Sequence, residues 1–345
     1  MGHEVKVIVP CSRPHEVAEN KGFIFLGKPV PLHASGSIVR APMSPWLYFS
    51  HRVRDVLEQE NFDLIHVHEP LFPPLCCAVM HYTQTVTVGT FHATRGRSWG
   101  YWFWKPICLN RWFERLAGRI AVSKVALDFI SKYFPGDYTI IPNGIDLKHF
   151  SADVAPIKEY SDGKLNILFV GRLEKRKGLK YLLGAYCQVK EQFPNSRLIV
   201  VGPNGGWRKG HERFVEKQNL KDVVFTDYVS YEDLPRYYHT ADIFCSPATE
   251  RESFGLVLLE AMAAAKPIIA SDIEGYASVI SHGVDGLLVP PKDEQALAQA
   301  LSQLLRDEPL RQRLGAMGRR KVEDYSWESI AHKVMDYYQS QLEGK

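Results

Sequence analysis

Two cations and two carboxylates in the second half of the chain stand where a folded protein seldom puts charge without a use for it. In "ILFVGRLEKRKGLKYLL", Arg172 and Lys177 lie in a loop directly after an apolar, strand-like run and just before a helical pattern. An arginine fork and a lysine point charge at the mouth of a sheet can neutralise a diphosphate without a metal ion. A solvated basic loop is the competing reading, since Lys175, Arg176 and Lys180 crowd the same stretch, and spacing alone leaves the two level. In "TERESFGLVLLEAMAAAKPIIASD", the apolar run predicts a helix from near Ser253 or Phe254, with Glu252 at its N-terminal end. Free backbone N–H groups there suit phosphate or sugar oxygens. A plain dipole-stabilised glutamate, worth about 0.3–1 kcal/mol, is the alternative. Glu260 follows roughly two turns and about 12 Å further along the axis, near the same face. A carboxylate inside "LVLLEAMAAA" is costly without partners, and ligand hydroxyls are natural ones.

The first half offers histidines. "VGTFHATRGRSWG" ends a strand-like run with His92, and a histidine at the carboxyl end of a parallel strand faces a ligand cleft, where it can donate or move a proton. A structural histidine is the plainer reading. His66 and His68 of "DLIHVHEP" point to one face of a strand and invite a zinc reading. No third ligand is placed by sequence and Glu69 points away by alternation, so the metal is rejected. "VVGPNGGW" lacks the spacing of a dinucleotide fingerprint and reads as a glycine-turn loop. "RGRSWGYWFWKPICLNRWFERLAGR" gathers four tryptophans with Arg95, Arg97, Lys105, Arg111, Arg115 and Arg119 against one acid, Glu114. That mixture suits either contact with an anionic membrane surface or an aromatic core or dimer face.

Elements must position these groups. A chain of 345 residues exceeds what one core usually supports, so two domains are expected. Strand-like runs at Val5–Pro10, Phe23–Leu32, Asp63–His68, Thr85–His92, Arg119–Ser123 and Thr139–Pro142 alternate with helical patterns such as His51–Glu60 and Trp102–Ala117. The alternation resumes with Asn166–Gly171, Arg197–Gly202, Val223–Val229, Ile243–Pro247 and Pro267–Ser271, then three amphipathic helices at Glu294–Arg306, Leu310–Glu323 and Trp327–Leu342. Nearly all-apolar strands separated by helices mean α/β architecture, with parallel sheets covered on both faces. The polar stretch Asn143–Asp162 marks the boundary, and the facing carboxyl ends of two doubly wound sheets are the expected ligand site. A net charge of +3 argues against nucleic acid as a partner. Six cysteines without a C-x-x-C pair read as buried thiols of a reducing compartment. With no long apolar run and no signal-peptide pattern, a cytoplasmic protein is expected.

Taken together, "TFHA", "RIAVS", "IPNGID", "GRLEKRKG" and "ESFGLVLLEAMAAAKPIIASD" make nearly the whole chain resemble the retaining GT-B glycosyltransferases. The order "GKPVPL", "GSIVR", "DLIHVHEP" is most similar to the phosphatidylinositol mannosyltransferases that use GDP-mannose. The resemblance implies two Rossmann-like domains: an acceptor-binding unit over 1–145, a nucleotide-sugar unit over 146–325, and a helix over 326–345 returning to the first. It implies that Arg172 and Lys177, after Gly171, hold the donor diphosphate in place of a metal. Glu252, Ser253 and the amides of Phe254 and Gly255 would hold the sugar, with Leu256 and Val257 completing the donor loop. Glu260 would take the ribose hydroxyls, and the backbone at Val229 would meet the base. His92 would face the sugar and the reacting centre, and Arg40 and Arg97 the acceptor phosphate. The nucleotide sugar is a co-substrate, so no resident cofactor or metal is expected. An anionic membrane surface is the expected partner of segment 95–115, placing the protein on the inner face of the membrane. A UDP-sugar transferase with a soluble saccharide acceptor, or an inactive nucleotide-sugar-binding module, is the alternative. Two departures stand out. Family members begin with a strand, a glycine-rich loop and a helix ahead of the segment matching "GHEV", so the first strand of the sheet is expected to be missing and the start of the chain mis-set. Leu71 also replaces the polar residue that can follow "HEP".

Overall fold

The computed structural model describes residues 2–11, 22–34, 37–41, 51–71, 74–93, 99–151, 154–203 and 206–344. Two compact units emerge. Unit 1 comprises Met1–Val122, Ala126–Ile140 and Met335–Lys345, and unit 2 comprises Ser123–Val125 and Ile141–Val334.

In unit 1, β1 (Val7–Val9) and β2 (Phe23–Phe25) form a parallel pair, and β3 (Val30–Ala34) and β4 (Ser37–Ala41) an antiparallel one. The single run expected over Phe23–Leu32 is thus two strands. A four-stranded parallel sheet follows in the order β5 (Leu64–His68), β6 (Val86–Phe91), β7 (Gly118–Ala121), β8 (Thr139–Ile140). Every residue of β6 is buried, as befits a central parallel strand covered on both faces. Ile8, Ile24, Ile65 and Val67 share one core, yet no ladder among the described residues joins the β1–β2 pair to β5. Tyr337, in the helix Trp327–Glu343, accepts from the Arg119 amide at 2.8 Å and lies where a Cβ on Gly118 would come within 2.8 Å of its ring. The single helix expected over Trp102–Ala117 is instead two short α-helices, Trp99–Trp104 and Asn110–Glu114, around a π-helical turn at Lys105–Leu109. Pro106 at the start of that turn has no amide to continue an α-helical ladder, which accounts for the break.

Unit 2 is a six-stranded parallel sheet with order β11-β10-β9-β12-β13-β14, where β9 is Leu165–Val170, β10 Ser196–Val201, β11 Val223–Phe225, β12 Ile243–Ser246, β13 Ile268–Ser271 and β14 Leu287–Val289. Separate apolar cores cover its two faces. The helix Leu179–Gln192 buries Leu179, Leu182, Leu183, Tyr186 and Val189, a stripe at the spacing a core-facing helix needs. Asp293 caps the helix Glu294–Arg306 by accepting from the Ala296 amide at 2.9 Å. Strand order reverses between β9 and β12, and the crevice outside the carboxyl ends of such a pair is where doubly wound sheets bind ligands.

Candidate functional site

The chain leaves β9 at Gly171 and β12 at Pro247, so both connections emerge at that reversal. A Cβ on Gly202 would lie 2.0 Å from the Gly171 carbonyl oxygen, so the ends of β9 and β10 close only over a glycine. After Gly171 the chain makes a 3-10 turn at Lys175–Lys177, closed by Gly178 at φ 73°. The Thr249 amide donates to the Arg176 carbonyl at 2.8 Å, stapling this turn to the loop after β12.

Charge is concentrated between the two loops. Glu174 pairs with Arg172 at 3.2 Å and with Arg176 at 3.0 Å, while Glu252 pairs with Lys177 at 2.9 Å and with the guanidinium of Arg176. Arg172, Lys177 and Glu252, expected from the sequence to share a site, belong to one ion-pair cluster. Arg176, read there only as a neighbouring charge, bridges its two carboxylates, and Glu174 was missed. Three cations against two carboxylates leave an excess of positive charge at the switch point, suited to a phosphate-bearing ligand.

The helix after the second loop starts later than expected. It runs Leu256–Ala263, because Gly255 at φ 99° lies in the left-handed region and cannot be its first helical residue. Glu252 therefore sits in the preceding bend, held by cations, and not at the helix N-terminus. Gly275 supports the bend: a Cβ there would come 1.9 Å from the Glu252 carbonyl oxygen. Beneath Gly255 lies Tyr276, fully buried, its hydroxyl 2.7 Å from that of Ser246. Phe254 is buried against Tyr325, Ser253 and Val257 are half-buried, and Leu256 is exposed.

Glu260 projects inward from this helix, and its Oε2 accepts from the Tyr238 hydroxyl at 2.6 Å. The carboxylate thus has a protein partner, where the sequence suggested ligand hydroxyls. Burial raises its pKa, while Tyr238, Lys177 and His149 oppose the rise. Val229 lies in the loop after β11 and packs on the core, and close by in sequence Tyr231 stacks on His149 at 4.1 Å.

Unit 1 has its own cluster. His68 ends β5 and His92 follows β6, and the parallel register brings His68 opposite Thr90. His68 Nδ1 lies 2.8 Å from His92 Nε2. His66 lies 2.6 Å from the Thr90 hydroxyl and also bonds the Tyr338 hydroxyl. Burial, then His68 and His92, push the His66 pKa down to about 3. Glu69 does not obey strand alternation: at φ 54° it turns back, and its Oε1 accepts from the His92 and Ala93 amides, both at 2.7 Å. No His/Cys/Asp/Glu cluster that could hold a metal ion occurs among the described residues. Arg40 lies on β4, paired with Pro31, and its side chain lies outside the description, as does the whole of Arg97.

Two doubly wound units, one carrying a cation cluster at the switch point of its sheet, define the GT-B glycosyltransferase fold. Solved structures agree. Sucrose-phosphate synthase from Thermosynechococcus elongatus superimposes with a TM-score of 0.74 over 100% of this chain and 90% of its own, at 23% identity. A glycosyltransferase from Rickettsia africae does so with a TM-score of 0.79 over 100% and 92%, at 19% identity. The pattern of the glycosyl transferases group 1 matches residues 154–321, and that of Glycosyltransferase Family 4 matches residues 1–149. The phosphatidyl-myo-inositol mannosyltransferase of Mycobacterium leprae is 34% identical over 344 residues, covering 98% of this chain and 88% of that protein. The chain belongs to the group 1 glycosyltransferases.

Proposed function

We propose that this glycosyltransferase moves mannose from GDP-mannose to a phosphatidylinositol-like lipid with retention at the anomeric carbon. The observation that carries the reading is the 34% identity, over nearly the whole chain, to a protein named phosphatidyl-myo-inositol mannosyltransferase. In this reading Arg172 and Lys177 face the charge that develops on the departing diphosphate, the role most effective in lowering such a barrier. Glu252, Ser253 and the Phe254 and Gly255 amides hold the sugar beside Leu256 and Val257, Glu260 takes the ribose hydroxyls, and the Val229 backbone meets the base. His92 attends the reacting centre, and Arg40 and Arg97 the acceptor phosphate. The anomeric C–O bond to phosphate breaks, the acceptor hydroxyl attacks from the same face, and its proton passes to the departing phosphate oxygen. No metal is required, because the cations of the 172–177 loop supply the positive charge.

The lipid acceptor places the enzyme on an anionic membrane surface, on the cytoplasmic side. Trp102, Phe103, Trp104 and Ile107 support this, being 68%, 55%, 51% and 61% exposed around Lys105. Such a protruding aromatic and aliphatic group suits insertion at a headgroup boundary. Trp112 of the same segment is buried in the core, the other role the sequence left open for these rings. No helix among the described residues is long and apolar enough to cross a membrane.

The test pairs GDP-mannose or UDP-glucose with phosphatidylinositol vesicles or soluble saccharides, and reads the product anomer by NMR. An α-mannosylated lipid is expected, with transfer and vesicle binding both reduced in a Trp102→Ser/Trp104→Ser variant. Turnover only with UDP-glucose and a soluble saccharide overturns the reading.

A further inference from the structure

We propose that Tyr238 is a positioning residue for the donor's ribose, acting through Glu260 to favour ribonucleotides over nucleotides that lack the ribose hydroxyls. This rests on the reading that Glu260 takes those hydroxyls. Tyr238 lies in the helix Leu234–Thr240 and is completely buried. Its ring is held between Phe150, at 5.7 Å, and Phe244, at 5.4 Å, so the hydroxyl has one fixed position. A buried phenol needs an acceptor. Glu260 Oε2 lies 2.6 Å away and the Val257 carbonyl 3.4 Å away, which makes the carboxylate the principal partner.

Two consequences follow for Glu260. Its rotation about the terminal bond is restrained, because turning the carboxyl would leave the phenol only its 3.4 Å contact with the Val257 carbonyl. Oε2 is committed inward, so the remaining lone pairs keep one direction and select for a diol presented from that side. The charge matters as well. A carboxylate accepts from two hydroxyls, whereas a protonated carboxyl spends one oxygen as a donor. The groups facing Glu260 are Tyr238 from its helix, Lys177 from the 3-10 turn, His149 from the helix Leu147–Ser151, and Tyr231 from the loop before Tyr238. Tyr238, Lys177 and His149 favour the ionised form against burial. Among the described residues, only the Tyr238 hydroxyl both favours that form and fixes its orientation through a hydrogen bond.

Binding of GDP and of 2′,3′-dideoxy-GDP to the full chain, measured by calorimetry in wild type, Tyr238→Phe, Glu260→Gln and the double variant, tests the assignment. Tyr238→Phe keeps the ring in the core and removes only the hydroxyl. It should weaken GDP about tenfold, the scale of a hydrogen bond to a charged group, with little effect on the dideoxy analogue. The preference for GDP then narrows towards that of Glu260→Gln, the double variant adds nothing further, and the loss deepens as the pH falls, because removing the Tyr238 hydroxyl removes a group that opposes the rise in the Glu260 pKa. If Glu260→Gln removes the preference while Tyr238→Phe leaves it intact, Tyr238 is only a core residue and the proposal fails, whatever the change in thermal stability. If Glu260→Gln itself leaves the preference intact, the ribose reading fails first and takes this inference with it.

Discussion

Replacing Gly178 with alanine tests whether the geometry of the 172–178 loop, and not its charge alone, creates the donor site. Gly178 sits at φ 73°, and an added Cβ would lie 1.8 Å from the Pro247 carbonyl oxygen. The left-handed conformation alone costs an alanine about 1–2 kcal/mol. Relieving the collision requires the turn and the loop after β12 to part by about 1.2 Å before the contact exceeds the 3.0 Å that real Cβ atoms keep. The Thr249 amide bond to the Arg176 carbonyl, 2.8 Å long, spans that seam and is lost, removing about 0.5–1.5 kcal/mol more. Lys177 moves with the turn, away from its 2.9 Å contact with Glu252. A displacement of about 1 Å in a positioned group costs roughly a hundredfold in rate. Gly163→Ala is the control, since Gly163 has φ 85° but nothing within 4 Å of an added Cβ. It bears the dihedral cost without the collision. Scanning calorimetry should show both variants losing stability, about 2–4 °C for each kcal/mol in a unit the size of unit 2, which carries both glycines. Initial-rate assays should show about a hundredfold loss of kcat/KM in Gly178→Ala only. Equal kcat/KM in the two variants would refute the reasoning.

Arg172→Ala combined with Lys177→Ala should reduce transfer by about a hundredfold or more, the scale of losing a group that stabilises transition-state charge. Wild-type turnover should persist in EDTA, and rescue of the double variant by magnesium would contradict the metal-free account. His66, with a pKa pushed down to about 3 from an ordinary 6.5, favours protonation of the unfolded chain between those values. The stability it contributes is complete above pH 6.5 and is lost progressively as the pH falls towards 3. Urea unfolding of His66→Gln should therefore be less acid-sensitive than wild type over that window, and parallel pH profiles would exclude His66 as a source of acid lability.

The parallel sheets were legible because β6, β9 and β10 are buried on both faces and read as apolar runs bounded by loops. Arg172, Lys177, Glu252 and Glu260 were legible too, as charges at strand ends or in apolar company. What joins them was not. The pairing of Arg176 with Glu252 spans 76 positions and depends on which loops the strand order brings together. Tyr238 follows Tyr237 directly, and only the register of their helix decides which hydroxyl faces Glu260. The misplaced helix start and the misread direction of Glu69 share a cause, a left-handed φ at Gly255 and at Glu69 that composition does not announce. Alternation and helical periodicity both assume a regular backbone, and both fail where a site bends it.

That no ladder among the described residues joins the β1–β2 pair to β5 bears on how the protein behaves in a test tube. A strand edge without a ladder presents amides and carbonyls to any other extended chain, and here apolar side chains flank it, with Val5 68%, Val7 38% and Phe23 42% exposed. Such an edge templates strand addition between molecules, a route to precipitation that has nothing to do with sugar transfer. A lysine in place of Val5 or Val7 would act as a gatekeeper against that self-association while leaving the cation cluster of unit 2 untouched.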